Sequence, residues 1–122
     1  INAINSTKSA VSDGVVAGGE ITLLKLAKLE GLHPIFKQAL KTPFIQLVTN
    51  AGLDYAEVRE NMAGKDYPFG VDVLDGKIKD LIGAGIIDPV KVLRSALENS
   101  MSVATMIMTC NSLITDIPKE DK

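Results

Sequence analysis

The chain has 122 residues, 46% of them hydrophobic, which suits one domain with a real core and excludes a disordered chain. Its 13 basic against 15 acidic residues leave a net charge of −2, with no basic excess to neutralise nucleic-acid phosphates. One cysteine, Cys110, cannot close an internal disulfide, one histidine, His33, makes no zinc cluster, and no apolar run reaches the roughly 18 residues of a membrane span.

The first residue is Ile1, with no signal-peptide pattern behind it, so the chain is expected to be a fragment or a processed product. Residues 1–13 predict a helix ending at Asp13-Gly14, with Ile4, Thr7 and Val11 as a partly apolar stripe. Gly14 to Glu20 carries three glycines and reads as a helix-breaking turn. Ile21 to Leu29 predicts a core helix with Lys25 and Lys28 outward, closed by Glu30-Gly31.

Pro34 takes the first position of a further helix, whose buried face is expected to comprise Ile35, Phe36, Ala39, Leu40, Phe44, Leu47 and Val48. Pro43 should kink it, and Gly52 supplies a left-handed stop. Asp54 and Glu57 are spaced as a capping box for a short helix from Tyr55 to Met62. Phe69–Val73 and Lys77–Lys79 predict two strands joined at Asp75-Gly76. Asp88-Pro89 reads as the cap and first residue of a long helix, with Leu93, Ala96, Leu97, Ala104, Ile107 and Met108 on one face. Leu113–Ile117 predicts a short strand, and Cys110 beside it a small buried residue rather than a nucleophile. The expected class is therefore mostly α (α+β), with a small β-hairpin and a C-terminal strand.

Several segments, in order, resemble the group I chaperonins, the GroEL-like 60-kDa heat-shock proteins. They are Ala10–Gly19 (AVSDGVVAGG), Asn50-Ala51-Gly52, Phe69–Asp72 (FGVD), Gly85–Leu97 (GIIDPVKVLRSAL), Ser102-Val103-Ala104 and Thr115–Pro118 (TDIP). Each is weak alone, but the series and its spacing cover essentially the whole chain. The resemblance is to the C-terminal part of the equatorial domain, so residues 1–122 are expected to be an incomplete portion of that ATP-binding domain.

The resemblance implies a nucleotide-binding set. The glycine-rich turn would lie against the nucleotide through Gly18 and Gly19. Asp72, Val73 and Leu74, where the family usually shows Asn and two alanines, would meet the base. Asp88 would accept the ribose hydroxyls, with its second oxygen capping the helix at Pro89. The resemblance also implies ATP with Mg2+, and K+ as a further cation, in the parent subunit. It implies a seven-membered ring of like subunits, a co-chaperonin and unfolded polypeptide clients, and gives no role to nucleic acid or membrane. Localisation would be mitochondrial or plastid in a eukaryote and cytoplasmic in a bacterium.

Three departures qualify what carries over. Asn2 stands at the position of the family's catalytic aspartate, and an amide is no general base, so no catalytic residue is assigned. Glu20 stands where the family places Gly. The stretch Gly31–Pro34 is shorter than the family's connection, so a loop is expected to be missing there and His33 is assigned no role. The family's phosphate-binding Asp-Gly-Thr-Thr-Thr loop does not occur. The chain alone is thus expected neither to hold ATP nor to hydrolyse it, although the full-length parent would be an ATPase. A second expectation is a non-catalytic interaction or scaffold module derived from the same domain.

Overall fold

In the computed structural model, residues 2–112 and residue 114 are described. Helix α1 spans Asn2–Asp13 and ends as the turn prediction requires, at Gly14, whose φ of 85° suits a residue without Cβ. Strand β1 (Val15–Ala17) follows at once, inside what the glycine spacing suggests is only a turn. Helix α2 (Ile21–Leu26) stops before the predicted Leu29, which is exposed; Lys25 and Lys28 face outward as expected. Helix α3 runs Pro34–Asn50, through Pro43, and α4 spans Tyr55–Asn61. Strands β2 (Phe69–Asp72) and β3 (Lys77–Asp80) form the predicted hairpin. Strand β4 (Ile87–Pro89) leads into helix α5 (Val90–Thr109).

The architecture is mostly helical, as the hydrophobic periods predict, with two small antiparallel sheets, of which only the hairpin was expected. One sheet is the β2–β3 hairpin. The other pairs β1 with β4 across the length of the chain, Val15 opposite Pro89, Val16 opposite Asp88 and Ala17 opposite Ile87. No local pattern announces this pairing, because its strands are three residues each and lie about seventy positions apart.

The core is small. Ala17, Ile21, Phe44, Val48, Val58, Val71 and Leu81 form it, drawing on β1, α2, α3, α4, β2 and the turn after β3. The Tyr55 ring meets Phe44 edge-on at 6.3 Å. Gly70 is the tightest point, since a Cβ there would stand 2.5 Å from Ile21 Cγ2 and 2.7 Å from Leu81 Cδ1.

Local caps hold the helices. Asp54 Oδ1 accepts from the amides of Ala56 (2.7 Å) and Glu57 (3.2 Å), as its spacing predicts. His33, to which the sequence assigns no role, caps α3: its Nδ1 accepts from Ile35 N–H at 3.2 Å. Gly52, at φ 71°, ends α3.

Four expectations are corrected. Asp88 does not cap α5; it lies in β4, and Pro89, which offers no side-chain bond, takes the cap position. The strand pairing holds Asp88 extended and starts the helix one residue later than expected, at Val90. The N-terminal half of the predicted α3 face is open, with Ile35, Phe36 and Ala39 exposed, because the core cluster gathers at the Phe44–Val48 end. The α1 stripe is also open: Ile4 and Val11 are exposed, and α1 meets α5 and β4 while its half-buried positions are the small Ser6, Ser9 and Ala10. Finally, Cys110 is exposed, because α5 has no buried residue along its whole length. The predicted strand Leu113–Ile117 lies outside the described residues except for Ile114, which is exposed.

Candidate functional site

The β1–β4 pairing builds the candidate site. Ala17 leaves the strand into Gly18, whose N–H donates to Ile86 O at 2.9 Å, extending the pairing by one step. Gly18 is buried, and a Cβ on it would meet Ile86 at 3.2 Å. Gly19 turns left-handed at φ 64° and crosses the hairpin, where a Cβ would stand 3.1 Å from Leu81 Cδ1 and 3.7 Å from Val71 O. Tertiary packing is therefore tight at both glycines, and the positive φ of Gly19 favours glycine as well, quite apart from any ligand. Around them, the Ala17 N–H donates to the Tyr67 hydroxyl at 3.0 Å, and the Thr22 hydroxyl donates to Ala17 O at 2.8 Å.

Glu20 closes the turn and is the only non-glycine residue at positive φ (60°) among the described residues. It precedes α2 without a capping bond from its side chain. Asp88, opposite Val16 in β4, shares a groove with it. Both carboxyls are half-buried. Burial lifts the Glu20 carboxyl above the ordinary carboxylate range, and the nearby Asp88 charge lifts it further. Burial lifts Asp88 too.

The groove has a volume of about 790 Å³ and runs between α3 and α5. Its floor is apolar, with Leu23, Phe36, Leu40, Leu93 and Leu97 among the lining side chains. Of the six candidate nucleotide-binding residues, only Asp88 lines it.

The hairpin trio is held by bonds within the hairpin itself. Asp72 Oδ1 accepts the Leu74 N–H at 3.0 Å, and its Oδ2 pairs with Lys79 Nζ at 2.8 Å. These bonds, Lys79 first, hold the Asp72 carboxyl below its usual range. Val73 packs against the core, and Leu74 points away from it, 92% exposed. The structure thus brings Gly18, Gly19 and Asp88 together through one sheet. The Gly19 backbone passes beside Val71 and Leu81. Asn2 opens α1. Among the described residues no three or more His, Cys, Asp or Glu gather to hold a metal ion.

Sequence reasoning missed two elements of the site. Tyr67 and Lys79 bond to site residues from about fifty and seven positions away, and neither carries a motif.

A mostly α equatorial-type fold, with a glycine turn against an Asp-Pro strand, defines the class. The chain belongs to the TCP-1/cpn60 chaperonin family, whose family model matches residues 1–118. It is also similar to a group III chaperonin known from a crystal structure in the open state, with 28% sequence identity and a TM-score of 0.73. That match covers 87% of this chain and 25% of the other, so the chain spans about a quarter of that chaperonin's length.

Proposed function

We propose that this chain is the C-terminal part of the equatorial domain of a group I-type chaperonin subunit, and that it supplies the adenosine side of an ATP pocket. The observation that carries the reading is the β1–β4 sheet. In it Asp88 stands opposite Val16, and the Gly18 N–H donates to Ile86 O at 2.9 Å, so the glycine turn and Asp88 share one short sheet. A turn without side chains lets a ligand approach the backbone, and a carboxylate relieved of capping has both oxygens free for hydroxyls. Leu74, outside the core, offers apolar surface to a base. In the full-length subunit, ATP would be the substrate and ring neighbours, a co-chaperonin and unfolded polypeptides the partners. The phosphate-binding loop would come from outside this segment, and so would the ligands of Mg2+ and K+.

The test is equilibrium ATP binding by the full-length subunit. Asp88→Ala should weaken it by about tenfold or more, the scale of a lost hydrogen bond to a charged group. Asp54→Ala, which removes only a helix cap, should leave it unchanged. Equal affinities in all three proteins would overturn the reading.

One observation favours a second reading, a non-catalytic interaction module. Glu20 stands where the resembled family has Gly and presents a carboxylate next to Asp88. Two adjacent negative groups oppose a polyphosphate. Glu20→Gly should therefore raise ATP affinity if the pocket works. A full-length protein that binds no ATP with either residue would leave the module as the better reading.

A further inference from the structure

The tip of the β2–β3 hairpin has a charge problem. Asp72, the last residue of β2, and Asp75, in the four-residue loop 73–76, stand three positions apart. Like charges that close repel, and a short loop offers little room to separate them. One side chain resolves it. Lys79, one residue before the end of β3, reaches back so that its Nζ lies 2.8 Å from Asp72 Oδ2 and 2.9 Å from Asp75 Oδ2.

The remaining two oxygens hold the loop backbone. Asp72 Oδ1 accepts the Leu74 N–H at 3.0 Å, and Asp75 Oδ1 accepts the Lys77 N–H at 2.9 Å. Each carboxylate thus clamps one amide and is itself clamped by the same ammonium. The Asp72 side chain is 12% exposed and Lys79 32%, so this is more than a loose surface pair. Gly76, at φ 72°, closes the turn against Leu53. The outcome is a fixed tip that directs Val73 inward and Leu74 outward.

We infer that Lys79 is the positioning residue of this tip: by holding Asp72 and Asp75 together it fixes Leu74 and the loop backbone for contact with an adenine ring. The inference rests on the adenosine reading above. It also changes the role of Asp72. With both oxygens engaged inside the loop, that carboxylate orders the tip and does not read the base. Recognition falls to apolar contact and to backbone groups.

The test measures binding of adenosine and of ATP to the full-length subunit. Adenosine, which lacks phosphates, separates loop geometry from long-range charge. Lys79→Met should weaken both ligands alike, by about fivefold, the scale of two ion pairs lost at once. Lys79→Arg should keep affinity near that of the unmodified protein. The deciding variant is the double change Asp72→Asn with Lys79→Met. The amide side chain that Asp72→Asn introduces would still accept the Leu74 N–H while carrying no charge, so affinity should return to within about twofold. Failure of this rescue would mean that Lys79 serves only β3, and would overturn the inference. So would a Lys79→Met protein that binds normally, or one that loses ATP affinity while keeping that for adenosine. A thermal melt of each variant identifies any loss of the whole fold. An unmodified protein that binds no adenosine would overturn the adenosine reading, and this inference with it.

Discussion

Gly70 shows how a single residue can be fixed by its surroundings rather than by its conformation. Its neighbours Ile21 and Leu81 stand where a Cβ would go, at 2.5 and 2.7 Å. Gly70→Ala should therefore destabilise the chain by about 1–3 kcal/mol, the usual cost of overpacking a core, measured by urea denaturation. Glu20 presents the opposite case, a residue its position does not suit. Both it and Asp88 have folded-state pKa values above their unfolded ones. Ionising them therefore costs the folded state at neutral pH, and that cost fades as pH falls through the raised values. Glu20→Gln should raise the melting temperature at pH 7, with the gain shrinking toward acid pH. Glu20→Gly should add about 0.5–1 kcal/mol beyond that, because φ 60° strains any residue with a Cβ. Asp72 and Asp75 run the other way. Their bonds to Lys79 lower both pKa values, so their contribution is present at neutral pH and is lost as the carboxylates protonate.

Elements with short-range signals were legible in the sequence. The Asp54 box, the Pro34 start, the Gly52 stop and the Asp75-Gly76 turn each lie where their chemistry predicts. Asp54→Ala should cost α4 about 1 kcal/mol, seen as a lower denaturation midpoint. The start of α5 was not legible, because a second strand competes for the same residues. An Asp before a Pro satisfies the capping pattern equally well when β1 draws it into a sheet. The candidate site follows the same division. Gly18, Gly19 and Asp88 could be named from the resemblance, but their meeting needed the β1–β4 register. His33 and Tyr67 could not be named, since a cap by Nδ1 and a hydroxyl beneath a strand leave no spacing to read.

At the scale of the whole molecule, the balance of inside and outside is unusual. No residue of α5 is buried, and Val92, Met101, Val103, Met106, Ile107 and Met108 are exposed. Val92 and Met101, together with Phe36 and Ala39 of the open half of α3, border a groove of about 790 Å³. Apolar surface on this scale binds hydrophobic dyes and drives self-association. The 122-residue chain should bind anilinonaphthalene sulfonate and sediment as more than a monomer at high concentration. Leu97→Glu, inside the groove, should reduce both; unchanged dye binding would show that the dye sits elsewhere.

The sequence by itself determined the helical class, the caps, the hairpin and the family likeness, because these depend on residues within a few positions of one another or on motifs in series. It could not say which apolar stripes are covered. Ile35, Phe36 and the α5 face have the same period as Phe44 and Val48, yet only the latter pair is buried. Burial depends on what packs against a face, and period alone does not hold that information. Tertiary structure also decided the state of the charges. Asp72 and Asp88 are both aspartates in motif segments. One is tied to Lys79 and held low, the other is half-buried beside Glu20 and pushed up, because desolvation and charge pairing act across space rather than along the chain.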